Sequence, residues 1–206
     1  MIGVDLSHWN KEVDFNILKQ EGYEFVILKA GGWEGKTTTG HKDERFEEYY
    51  KKATEAGFKI GVYYFVGTQF RSKEQGLNQA KHCLGLIAGK KINFGVWLDV
   101  EKPCSKFYKK QQTEAAVEFC KFIEAHHYFT GIYGSDISTF GTGEKGNGGM
   151  LIYEDIKRFA LWVARYGKKP IHNHAIQQIT SKGISRATDT RIDIDIARYD
   201  ISKYCN

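Results

Sequence analysis

The chain has 206 residues, 41% of them hydrophobic and 27% charged, with a formal net charge of +5. That length and balance fit one globular domain with a sizeable core, and exclude a disordered, collagen-like or disulfide-scaffold chain. No run of about 18 apolar residues is present to cross a membrane, and the positive charges are scattered, not blocked as in a nucleic-acid-binding patch.

The opening MIGVDLSHWN lacks the basic and apolar regions of a signal peptide. Residues 2–6 read as a first strand, with Val4 and Leu6 on one face and Asp5 and Ser7 on the other. A helical segment over 14–21 leads to a second strand, EFVILKA at 24–30. In the helix that follows, over 43–56, Phe46, Tyr49, Tyr50 and Ala53 recur at i, i+3, i+4 and i+7, and Gly57 supplies a C-terminal cap. KIGVYYFV (59–66) is the third strand, 71–88 the next helix and NFGVWLDVE (93–101) the fourth strand. After a helix over 109–126 come FTGIYGS (129–135), ALWVARY (160–166), AIQQITS (175–181) and RIDIDIARY (191–199), joined by shorter, less helical connections. GTGEKGNGG (141–149) has the composition of a flexible loop. Strands alternating with helices predict a parallel sheet, and eight strands in so small a domain predict a barrel. Without linker or repeat, 1–206 is expected to be a single domain. Cys83, Cys104, Cys120 and Cys205 form no C-x-x-C pair and have no His at zinc-finger spacing. Free thiols are the simplest reading, with disulfides open to a secreted chain.

Three of these strands carry acids on one face. In GVWLDVE, Trp97, Asp99 and Glu101 share a face, and Val96, Leu98 and Val100 the other. In RIDIDIARY, Asp193 and Asp195 oppose Ile192, Ile194 and Ile196. The apolar faces suit packing beneath helices, so the acids, with Asp5, are expected to point into the barrel at the strands' C-terminal end, where barrel sites lie. First and last strands are neighbours in a closed barrel, and the fourth faces them across the mouth. Confined carboxylates cannot all ionise cheaply, so at least one pKa must rise. A protonated acid beside ionised ones is the arrangement that cleaves glycosidic bonds. Two plainer readings compete. A lone inward acid is usually structural, and four carboxylates would also suit calcium or magnesium, although no EF-hand-like loop is present.

In order, GVDLSHWN, FVILKA, GVYYF, VWLDVE, GIYGS, LWVARY, IQQITS and RIDIDIARY make nearly the whole chain resemble the lysozymes of glycoside hydrolase family 25. These are the Chalaropsis-type N-acetylmuramidases of phage endolysins, bacterial autolysins and some eukaryotes. The resemblance implies an α/β fold, a flattened TIM-like β/α barrel of the (β/α)5(β)3 type with eight strands and about five regular helices. It implies hydrolysis, without a cofactor, of the β-1,4 bond between N-acetylmuramic acid and N-acetylglucosamine in peptidoglycan. Glu101 is implied as general acid, with Asp99 raising its pKa or orienting the substrate. Asp5 and Asp193 match the first- and last-strand aspartates, and Asp195 stands where the family often has Asn. Two routes stay open: Asp5 activates water with inversion, or the substrate's N-acetyl group attacks with retention, oriented by Asp99 or Asp193. Tyr63 or Tyr64, Tyr133, Trp162 and Tyr166 are expected to stack on sugars, Gln178 to hydrogen-bond to substrate, and Lys29 to pair with an inward acid. The chain departs from the family pattern in two places. Ala-Gly-Gly replaces Ala-Thr-Glu-Gly after the second strand, and Gln177 and Ile179 stand where aromatics are frequent. No wall-binding repeat is attached, so targeting is expected to rest on the groove and its modest positive charge, or on a region outside this chain. The implied partner is bacterial peptidoglycan, met by a monomer outside the cell or at the cell wall, with no nucleic acid and no membrane insertion.

Rival readings are weaker. GWEGKTTTG follows a strand and contains Gly-Lys-Thr, but Ala30 stands where a phosphate-binding loop needs its first glycine. A chitinase-type barrel would carry aspartates where Trp97 and Phe94 stand. An inactive wall-binding lectin is disfavoured by the presence of every aligned acid. His126 and His127, at a helix end, read as surface or capping residues.

Overall fold

The apolar faces read from the sequence do bury, and they bury in two separate layers. The structure, a computed structural model, describes residues 1–35, 39–143 and 145–205. Its strands are β1 (Ile2–Leu6), β2 (Phe25–Trp33), β3 (His41–Lys42), β4 (Lys59–Val66), β5 (Val96–Val100), β6 (Thr130–Ser135), β7 (Ala160–Ala164), β8 (Ile176–Gly183) and β9 (Ile192–Ala197). The helices are α1 (Phe15–Gln20), α2 (Phe46–Glu55), α3 (Lys73–Ile87), α4 (Lys109–Ala125) and the single-turn α5 (Tyr153–Ile156). Hydrogen bonding runs β1-β9-β8-β7-β6-β5-β4-β2, and the β1–β2 pairing closes the ring. This is the expected barrel of eight strands with five helices, plus the short β3 on the edge of β2.

Strand period explains the layers. Val4, Leu6, Val26, Leu28, Val62, Val96, Leu98 and Val100 face outward into a core shared with Tyr49, Ala80, Cys83, Phe119 and Ile123 of the helices. Alternate residues face inward: Phe25, Ile27, Trp97, Tyr133, Trp162 and Ile176, with Phe94, fill the barrel. Burying each large apolar side chain contributes about 1.5–3 kcal/mol. The helices start and stop by local chemistry. Asp14 caps α1 by accepting from the Asn16 and Ile17 amides, and Ser72 caps α3 through the Gln75 amide. Past α2, Gly57 takes the left-handed conformation at φ 72°, as its position predicted.

Two features differ from expectation. The sheet is parallel from β1 and β2 around to β8, but β9 runs antiparallel to both β8 and β1. No crossover helix separates β8 from β9, and without one the chain returns as a hairpin. The mouth therefore lies at the start of β9. Asp193 pairs with Asp5 at the rim, while Asp195 sits one layer deeper, opposite Gly3. Second, β2 continues to Trp33 and accepts β3 as an extra edge strand. The Ala-Gly-Gly departure makes this possible. A Cβ on Gly31 would stand 2.1 Å from the His41 carbonyl oxygen, so only glycine lets β3 approach. Residues 36–38 of the Gly-Lys-Thr segment and Glu144 of the 141–149 loop lie outside the described residues. All four cysteines are free. His126 caps α4 with Nδ1 2.8 Å from the Phe122 oxygen, and His127 is exposed beside it. No helix among the described residues is long and apolar enough to cross a membrane.

Candidate active site

The barrel opens at the C-terminal ends of its parallel strands into a cavity of about 670 Å³. Asp5, Tyr63, Asp99, Glu101, Tyr133, Trp162, Tyr166, Gln178 and Asp193 all line it. Asp5, Tyr63, Asp99, Tyr133 and Trp162 arrive there by strand parity from faces whose reverse lies in the outer core, while Glu101 and Tyr166 lie just past the ends of β5 and β7.

β5 contributes two carboxyls. Asp99 is 4% exposed, and its Oδ1 has no hydrogen-bond partner among the described residues. Burial first, and the neighbouring Glu101 second, push its carboxyl well above the usual range, with Lys29 opposing. Glu101 follows the strand end and is more exposed. Its carboxyl is also raised by desolvation, against the charges of Lys102 and Lys29. The two titrate as a pair, so one proton stays on them well above the pH at which an isolated carboxyl loses it.

β1 and β9 supply the opposite wall. Asp5 is 7% exposed, and burial with the charges of Asp195 and Asp193 raises its pKa well above the ordinary value. Gln178 Nε2 donates to Asp5 Oδ2 at 2.8 Å and works in the other direction, favouring the ionised form. Asp193 is half-buried, and desolvation together with Glu101 pushes it up to about 6. Gln178 is itself fixed: Tyr133 and Tyr166 donate to its Oε1 at 2.9 and 2.6 Å. Trp162 packs between Tyr133 and Tyr63, with ring centroids 4.4 and 6.2 Å away.

Three expectations are corrected. Tyr64 does not reach the cavity. It faces outward with Val62 and Val66 and hydrogen-bonds Gln79 at 2.8 Å and His82 at 2.9 Å beneath α3. Its neighbour Tyr63 has the inward parity. Asp195 is fully buried below the cavity and is not a surface for substrate. Its Oδ1 accepts Trp162 Nε1 at 2.7 Å, and its Oδ2 lacks a partner in the structure. Lys29 forms no ion pair among the described residues. Its Nζ lies over the Phe65 ring at 5.4 Å and acts on Asp99 and Glu101 through space.

The cavity also holds residues that the motifs did not single out: Trp9, Arg165 and Arg191. Trp9 is 74% exposed on the short turn after Ser7, its ring set against His8, whose Nδ1 is 2.6 Å from the buried Asp43. A tryptophan so exposed at a cavity rim suits the apolar face of a sugar. Gln177 ties the end of β7 with bonds to the Arg165 and Lys168 oxygens. Among the described residues, no three His, Cys, Asp or Glu side chains are grouped to hold a metal ion.

Residues 4–186 match the model of the family described as Glycosyl hydrolases family 25. The chain is 27% identical over 167 residues to an autolytic lysozyme of Clostridium acetobutylicum, a match covering 81% of this chain and 45% of that protein. The chain thus spans under half of that relative's length. It is 27% identical to a probable GH family 25 lysozyme of Dictyostelium discoideum, over 82% of this chain and 73% of that one. The crystal structure of the CTP1L endolysin superposes with a TM-score of 0.80 at 24% identity, over 98% of this chain and 68% of that one.

Proposed function

The chain belongs to glycosyl hydrolase family 25, and from that premise we propose that it is an N-acetylmuramidase, its 206 residues a single catalytic domain acting on bacterial peptidoglycan at the cell wall. One observation carries this reading: Asp99 and Glu101 meet Asp5 and Asp193 in one cavity flanked by Tyr63, Tyr133, Trp162 and Trp9. All four acids are raised by burial, and Asp5, Asp99 and Asp193 also by neighbouring carboxyls, as acid catalysis near neutral pH requires.

Glu101, the more exposed of the β5 pair, is the general acid. It gives its proton to the glycosidic oxygen as the C1–O bond of N-acetylmuramic acid breaks, and N-acetylglucosamine leaves with a new 4-hydroxyl. The unpartnered Asp99 Oδ1 favours the retaining route over the inverting one. It is placed to accept the N–H of the muramyl N-acetyl group, so that the acetyl oxygen attacks C1 and closes an oxazoline-type ring. Water then opens the ring at C1, and Glu101 takes back the water's proton. Asp193, and Asp5 when ionised, place negative charge opposite the oxocarbenium-like transition state. Asp195 acts from below, holding Trp162.

Mass analysis of digested peptidoglycan tests the bond cleaved. New reducing ends on N-acetylmuramic acid support the reading, and reducing N-acetylglucosamine or cut peptides overturn it. Proton NMR of the first product tests the route: the β-anomer is expected, and the α-anomer would restore Asp5 as a base.

A further inference from the structure

Among the described residues, no group hydrogen-bonds the charged side chain of Arg165. It directly follows β7, and its main chain is pinned to β8. Its N–H donates to the Gln178 oxygen at 3.1 Å, and its own oxygen accepts Gln177 Nε2 at 2.7 Å. The side chain lines the cavity that holds Glu101 and Asp193, and it is only 22% exposed. Its Nε is buried without a hydrogen-bond partner, and neither of Arg165's other two guanidinium nitrogens is hydrogen-bonded among the described residues.

Asp136 stands 3.6 Å from that Nε, yet its oxygens are already supplied. The Ile171 amide donates at 2.9 Å, the His172 amide at 3.4 Å, and His172 Nδ1 lies at 2.9 Å. Fully buried, Asp136 therefore fixes the guanidinium by charge and leaves its donors open. A guanidinium kept mostly out of water with its donors unmade is costly unless a ligand completes it, and its planar fork matches a carboxylate. Arg191 stands on the rim of the same cavity, also without a side-chain partner among the described residues. Its carbonyl is held by Asn10 Nδ2 at 3.1 Å. The reacting centre offers an anion no cation, because Asp5, Asp99, Glu101 and Asp193 crowd it. The two arginines are the basic residues among those lining the cavity.

We infer that Arg165, with Arg191, forms an anion subsite for a carboxylate on the 3-O-lactyl substituent of the muramyl residue. The carboxylate is either the lactyl group's own, in peptide-free glycan, or one carried by the stem peptide. The inference rests on the muramidase reading and adds to it a charge requirement on the substrate.

The test uses two substrate pairs: peptide-free glycan strands and peptide-bearing strands, each with free carboxylates and with carboxylates converted to neutral methylamides. Kd, read from tryptophan fluorescence, and kcat/KM are measured for wild type, Arg165→Gln and Arg165→Lys. In at least one pair, wild type is expected to prefer the carboxylate form by about tenfold or more, the size of one charge-assisted hydrogen bond. Arg165→Gln should bring that ratio near one, and Arg165→Lys, which keeps the charge beside Asp136, should fall between. A preference in the peptide-free pair assigns the lactyl carboxylate, and one confined to the peptide-bearing pair assigns the stem peptide. Equal treatment of both forms by wild type, or full discrimination by Arg165→Gln, overturns the subsite. Binding by wild type without cleavage overturns the muramidase reading, and the Kd ratios then judge the subsite alone. Neither binding nor cleavage overturns both.

Discussion

Gln178→Leu tests the polar network under the candidate site. Gln178 is 3% exposed and joins three partners: it donates to Asp5 at 2.8 Å and accepts from Tyr133 at 2.9 Å and Tyr166 at 2.6 Å. Leucine fills a similar volume and makes none of these bonds. Tyr166 is half exposed and can turn to water, so its loss costs little. Tyr133 and Asp5 are buried, and stranding each costs about 1–3 kcal/mol. A total near 3 kcal/mol lowers the melting temperature of a chain this size by about 6–12 °C. The pH effect has a definite sign. The Gln178 amide favours ionised Asp5, so its removal raises the Asp5 pKa further. A lost hydrogen bond to a charged group, about 1.5–3 kcal/mol, is about 1–2 pH units. If catalysis uses ionised Asp5, the acid limb of kcat/KM moves up by that amount. Circular dichroism melting and a pH–rate profile on soluble glycan read the two effects. An unmoved acid limb together with a melting temperature within about 2 °C of wild type would refute the reasoning.

Asp195→Asn keeps an acceptor for Trp162 but removes a buried acid whose pKa is raised. A raised carboxyl holds its proton in the fold after the unfolded chain has lost it, so its stabilisation fades as pH rises from about 4. The variant should melt like wild type below that pH and about 2–4 °C higher at pH 7, a gain of about 1 kcal/mol. Trp9→Ala removes a rim aromatic that packs little of the fold. KM should rise about three- to tenfold, as for one aromatic contact, with the melting temperature unchanged. Tyr64→Phe strands Gln79 and should cost about 1 kcal/mol of stability while kcat/KM stays within twofold, because its hydroxyl lies on the helix side of the sheet.

Strand parity made most of this site legible. Apolar Val96, Leu98 and Val100 behind Asp99 and Glu101, and Val4 and Leu6 behind Asp5, leave one orientation that buries both faces properly. The same rule separates Tyr63 from Tyr64 once Ile60, Val62 and Val66 are seen as one outward face. The direction of β9 was not legible, because its alternation reads the same in either sense. Only the antiparallel pairing shows that Asp193 is at the mouth and Asp195 beneath it. Trp9 and Arg165 lay beyond reach for another reason. Both follow strand ends, where period no longer fixes which way a side chain points, and their roles depend on partners distant in sequence, Asp43 through His8 and Asp136. The glycines of the strand-two departure were visible, but their use in admitting β3 required the contact with His41.

The central claim is that Glu101 delivers the proton to the leaving sugar. It is tested by comparing wild type and Glu101→Gln on two substrates, the natural muramyl glycan and an aryl muramyl glycoside whose leaving group needs no proton. Glu101→Gln should lose about 10²–10⁴-fold in kcat/KM on the glycan, as for a missing general acid, and recover to within about tenfold of wild type in kcat/KM on the aryl glycoside, because that constant reads the departure of the leaving group and not the later opening of the ring by water. Equal losses on both substrates, or no loss on the glycan, would contradict the assignment.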